Sequence, residues 1–214
     1  MNPRYRRFAV ACLMSIGVGC ASAPVRYYTL TAPPDQALPA SGTSLPIEVR
    51  VVHTPPQLNR SDLMVRTGPT EVTLLENERW ASPVNDEIED ALRLELLRRM
   101  GRTTGLRPSL TKLTLDIDVQ HLEAELGRYA LIEASWSATF SGGGQRSIGA
   151  RVTTCTFQAE EKIHTGYAGI VEGYQREIAA LADAIVTTLT GPTGGNDCQK
   201  PTEVSAGGAG SKDR

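Results

Sequence analysis

Histidine is scarce in this chain. His53, His121 and His164 stand far apart, and none has a second histidine or a cysteine at a ligand spacing, so no metal centre is expected. There is no Gly-x-Ser-x-Gly elbow, and spacing alone nominates no Ser/His/Asp set. Ser141-Gly-Gly-Gly144 lacks the Lys-Ser/Thr ending of a phosphate loop and opens a strand where a helix would be needed, so it reads as a hairpin turn. No internal repeat is visible. Positive charge is not in excess either: the formal charge is −2, which excludes an electrostatic footprint for nucleic acid. The apolar run over residues 8–20 is far shorter than the roughly 20 residues a spanning helix needs.

That run is nonetheless the chain's most informative stretch. Arg4, Arg6 and Arg7 precede it and small residues close it, the layout of a secretory signal. Gly17-Val18-Gly19-Cys20 resembles the bacterial lipobox, although Gly17 stands where leucine is usual. The resemblance implies cleavage before Cys20 and diacylglycerol on its thiol. Acyl chains at about 0.8 kcal/mol per buried methylene would then hold the protein on a membrane. The alternative is an ordinary signal cleaved after Ala21 or Ala23. With Ala21 and not aspartate after the cysteine, the sorting convention of enteric bacteria points to the outer membrane. Losing residues 1–19 removes the three arginines and takes the formal charge from −2 to −5, so anionic headgroups would add little attraction.

Two further cysteines remain for an oxidising compartment. Cys155 falls in an expected strand and Cys198 in a polar tail. They either pair, closing a loop worth about 3 to 4 kcal/mol in the chain-entropy model, or persist as a buried inert thiol and a free one.

Residues 1–19 read as the signal, 20–25 as a tether, 26–190 as one domain and 191–214 as a disordered tail poor in apolar residues. Within the domain, residues 26–31 read as a short strand and 47–51 as an alternating one. Residues 62–66 and 71–75 flank Gly68-Pro69 as a hairpin. Ser82 is placed to cap a helix, with Pro83 at its first position, running to Met100. Leu113, Leu115, Ile117 and Val119 alternate with polar residues. Residues 130–140 and 147–160 follow as two more strands, giving three long antiparallel neighbours with one polar face. Val171, Tyr174, Ile178, Leu181, Ile185 and Leu189 mark a second helix over 167–189. The fold expected is α/β of the α+β kind: one domain, a mixed and largely antiparallel sheet, two main helices packed on it. Asp116 and Asp118 share one strand face and cluster with Glu123 and Glu125. Solvated surface is the plainer account of them than catalysis.

The order Tyr27-Tyr28-x-Leu30, Val49-Arg50-Val51, Leu58-Asn59-Arg60, Val65-x-Thr67 and Arg79-Trp80-Ala81-Ser82-Pro83, with Gly166-Tyr167 before the last helix, is similar to the ABC-type transport auxiliary lipoproteins, the PqiC-like membrane-integrity-associated family. That resemblance covers roughly residues 25–189. It implies a periplasm-facing outer-membrane lipoprotein, anchored in outer-membrane lipid through acylated Cys20. Such a protein would serve as a non-catalytic docking subunit for a mammalian-cell-entry (MCE) periplasmic protein and an inner-membrane transporter or permease. A ring-forming homo-oligomer is an option, contacts are expected from sheet edges or the loop over 55–61, and no cofactor, enzyme activity or nucleic acid is expected. Two other readings stay open, a lipid-anchored envelope hydrolase and a periplasmic lipid carrier.

Overall fold

The computed structural model describes residues 23–33, 47–100, 110–142 and 152–191, together with Cys198. The expectations for the signal, Cys20, the Gly-rich turn and the rest of the tail fall outside these residues. In chain order the elements are β1 Arg26–Tyr28, β2 Ile47–His53, β3 Asp62–Arg66, β4 Val72–Trp80, α1 Val84–Met100, β5 Leu110–Glu125, β6 Tyr129–Gly142, β7 Val152–Lys162 and α2 Tyr167–Thr190.

Strict alternation builds the centre. In β5, Leu113, Leu115, Ile117 and Val119 are buried; in β6, Ala130, Ile132, Ala134, Trp136 and Ala138 are buried. With β7 they form an antiparallel meander, Ile117 opposite Trp136 and Trp136 opposite Cys155. The sheet order is β1-β4-β3-β5-β6-β7, and β2 also pairs with β5. β5 is long enough to take two neighbours on one flank. β2 runs parallel along its first half, with Ile47 opposite Leu113 and Val51 opposite Ile117. β3 meets its far end, with Arg66 opposite Glu125. β3 and β4 form the hairpin, and β1 adds in parallel along the outside of β4.

Both helices cover the apolar face. α1 buries Val84, Ile88, Ala91, Leu92 and Leu96, and α2 buries Ile170, Tyr174, Ile178, Leu181 and Ile185. Together with the inward strand residues they make one core, the α+β domain with a mixed sheet that the alternation implied. Arg99 of α1 reaches Asp183 of α2 at 2.5 Å, a tie across the helix pair. Gly173 is required where α2 crosses the sheet: a Cβ there would stand 2.5 Å from Ile163 Cγ2 and 2.9 Å from the Ala130 Cβ. Gly166, with φ 96°, turns the chain into α2 through a conformation side chains disfavour.

Several boundaries differ from the sequence reading: β1, expected to reach residue 31, ends at Tyr28, and β2 runs on to His53. β4 continues past Leu75 to Trp80, because an irregularity between Asp62 and Leu63 lets pairing resume at Arg79. β5 runs on past Val119 to Glu125 across a second register shift. α1 begins at Val84, after Pro83 accepts from Glu87 N–H, and Ser82 directs its hydroxyl to a side chain further along. Cys155 is joined to Cys198 by a disulfide, with 5.5 Å between Cα atoms, so the chain beyond α2 returns to the edge strand β7.

Candidate functional site

The motif residues around Tyr28 and Ser82 meet at one carboxylate. Glu87, on the first turns of α1, is 5 % exposed, and four donors surround it. Thr29 Oγ1 and the Leu30 N–H donate to Oε2, each at 2.8 Å; Ser82 N–H (3.1 Å) and Ser82 Oγ (2.8 Å) donate to Oε1. The Ala81 N–H adds a backbone bond to Tyr28 O at 2.7 Å. A buried anion needs this much donation to remain in place. The Tyr-Tyr-x-Leu and Trp-Ala-Ser-Pro segments are therefore two halves of one frame, with Glu87 as the joint. Gln175 of α2 extends the frame by donating to Thr29 O at 3.1 Å.

A second buried carboxylate, Glu78 of β4, fastens β1. Arg26 reaches Oε1 through Nη2 at 2.5 Å and Nε at 3.0 Å, and Tyr28 donates its hydroxyl to Oε2 at 2.7 Å. Burial, then the Glu78 hydrogen bond, pushes the Tyr28 phenol up. Beside this pair opens a cavity of about 430 Å³, lined by Ala23, Pro24, Arg26, Leu75, Glu78 and Tyr167 among others. Ala23 and Pro24, where the described chain begins, thus form part of its wall.

The third carboxylate is Glu123, on the sheet face away from the helices. Arg66, Tyr129 and His121 all converge on it. The Arg66 hydrogen bond is the main cause that brings its carboxyl down to about 2, with Tyr129 and His121 acting the same way. Three of the four acids grouped in the sequence are divided among cations, Asp116 pairing with Arg50 at 2.5 Å, Glu123 with Arg66 and Glu125 with Arg128 at 2.5 Å, while the fourth, Asp118, has its Oδ1 buried without a hydrogen-bond partner. Of the histidines, only His121 touches an acid, and no group of three or more His, Cys, Asp or Glu among the described residues is arranged to hold a metal. Trp80 and Trp136 are buried, Trp80 with its ring 6.2 Å from that of Tyr174. The loop over 55–61 folds on itself, Leu58 N–H donating to Pro55 O at 2.8 Å, and Leu58 packs on the core.

Glu177 went unnoticed in the sequence because it lies between seam positions of α2. It is fully buried, and no regular hydrogen bond reaches either carboxylate oxygen, although the Glu161 backbone lies close enough to favour the charged form. Burial first, and the nearby Glu161 carboxylate next, push its carboxyl up to about 9. Among the described residues no helix is long and apolar enough to cross a membrane.

Fold and site together define a single α+β domain whose signature residues build its own frame. The model of the family described as ABC-type transport auxiliary lipoprotein component matches residues 28–186, and the chain belongs to that family. No curated protein matches the chain. Two solved structures share the fold. One, an uncharacterized protein, is 17 % identical with a TM-score of 0.57, over 78 % of this chain and 99 % of its own. The other, a Xanthomonas campestris protein of the DUF330 family, is 20 % identical with a TM-score of 0.52, over 78 % and 98 %.

Proposed function

We propose that this protein is a non-catalytic docking subunit of an MCE-type lipid transport system, anchored by Cys20 in the outer membrane and facing the periplasm. Family membership over residues 28–186 carries the reading, since it makes the chain an auxiliary lipoprotein component of a transporter. The framework use of the motif carboxylates supports it: Glu78 and Glu87 spend their lone pairs on the domain's own donors. The lipobox supplies the anchor, and the residue after Cys20 supplies the outer-membrane assignment. An MCE protein bridging the periplasm and an inner-membrane transporter or permease are the expected partners.

Two measurements test this. Cys20→Ala should release the protein from membranes with its melting curve unchanged; unaltered membrane association would refute the anchor. Affinity capture of the lipidated protein from its own envelope should co-purify an MCE protein. Capture that repeatedly lacks one, under conditions that retain other envelope complexes, would refute the docking role.

A further inference from the structure

Among the described residues, the large apolar side chains that stand exposed are Val25 (42 %), Tyr27 (66 %), Val72 (50 %), Leu74 (38 %) and Leu126 (38 %). They are distant in sequence, and the topology gathers them. β3 and β5 finish in register, Arg66 beside Glu125, so the turn leading to Val72 and the turn bearing Leu126 emerge side by side. Val72 lies opposite Arg66, and Leu74 opposite Met64. β1 enters along β4 with Tyr27 opposite Arg79. Arg26 and Tyr28 both turn to Glu78, so strand alternation sends Tyr27, and Val25 two residues earlier, to the other face. Ala23 and Pro24 line one cavity with Leu75 and Tyr167, so that, followed back from β1, the chain runs along β4 toward this end.

Scattered exposed apolar residues call for no explanation, but their concentration along the outer face of β1 and β4, running down to the end that carries the two turns, does. Cys20 lies three residues before Ala23, a reach of about 10 Å in extended chain. A bilayer holding lipids on Cys20 is therefore in contact distance of this end. We infer that Val25, Tyr27, Val72, Leu74 and Leu126 form a bilayer-contact surface. They sink into the headgroup–acyl boundary and fix the domain's orientation on the membrane that holds Cys20. This rests on the anchoring reading above. The composition suits lipid: a tyrosine with an apolar body and polar tip belongs at such a boundary. Arg26, Arg79 and Arg128 are each paired with an acid, Glu78, Asp62 and Glu125, and exposed Lys162 stands opposite Tyr129, so the contact draws chiefly on apolar area.

The test places a nitroxide at V72C, L74C or L126C, and at D90C on the exposed side of α1 as reference, in the lipidated full chain. Each variant is reconstituted in phosphatidylethanolamine/phosphatidylglycerol vesicles after its melting curve is checked. The ratio of oxygen to nickel-chelate accessibility should be several-fold higher at 72, 74 and 126 than at 90. An aqueous ratio at all four positions overturns the inference. So does exclusion of both relaxants with dipolar broadening between labels, which would mean that a second copy covers the face. Intact mass of the same samples reports Cys20 acylation separately. Acylated protein with aqueous labels removes only this inference, whereas an unacylated Cys20 removes the anchoring reading and this inference with it.

Discussion

Three glutamates govern the residue scale, and each makes a different statement. Glu87 joins segments more than fifty positions apart, so its loss strands four donors. Glu87→Ala should cost about 3 kcal/mol, and Glu87→Gln somewhat less, because the amide presents a donor to two donors. Urea melts of the three proteins check this. Glu123 and Glu177 set opposite pH slopes. The Glu123 carboxyl is lowered to about 2 in the fold, so its contribution is complete above the ordinary carboxylate range and is lost as pH falls through about 2. Glu123→Gln should flatten the acid limb of a stability–pH curve by about 1–2 kcal/mol, after allowing for solvent screening. The Glu177 carboxyl is raised to about 9, so the native state holds a proton that the unfolded chain releases at about 4.5. Stability from this group is complete below about pH 4.5 and declines as pH rises to about 9. The Glu161 and Glu160 carboxylates oppose its ionisation, while the Glu161 backbone and then Arg176 ease it. Glu177→Gln should therefore be more stable than wild type by about 2 kcal/mol at pH 8, with the gap closing near pH 4. A constant gap across that range would show that Glu177 does not titrate as argued.

At the scale of elements, close contact and cross-linking decide the outcome. Gly173 lets α2 lie against Ala130 and Ile163. Ala is worth up to about 1 kcal/mol over Gly in a helix interior, but at this site the methyl must displace its neighbours. Gly173→Ala should be net destabilising and Gly173→Leu more so, as read by thermal melting. Removing the Cys155–Cys198 link should cost about 3–4 kcal/mol, and Cys198→Ser should match wild type under reductant. Elements with unbroken periodicity were legible in the sequence: the alternation through Leu113–Leu115–Ile117–Val119 and the α2 seam mark their own buried faces. Legibility failed at irregularities. Gln120 and His121 interrupt the alternation of β5 at a register shift, so the strand reads as ending where it only slips. β4 is hidden for the same reason between Leu75 and Arg79. The frame around Glu87 was invisible because nothing local to Ser82 or Thr29 announces the partner it will find. Ser82 looked like a helix cap for want of that information.

For the whole molecule, the sheet is open, with helices on one side and Thr114, Asp116, Ser135, Ser137 and Thr139 on the other. Its edges are treated unequally. The β7 edge receives the chain bonded through Cys198, and Glu89 of α1 accepts the Val51 N–H of β2 at 2.5 Å. β1 is only three residues long, yet it is fastened by Glu78. That arrangement has a mechanical consequence. If Cys20 is anchored as proposed, tension that draws the N-terminus back along the line of β1 runs parallel to β4. The hydrogen bonds of that pair and the Arg26–Glu78 contact are then sheared together, where a strand pulled crosswise would unzip them one by one. The shortest strand of the sheet is thereby oriented to bear load.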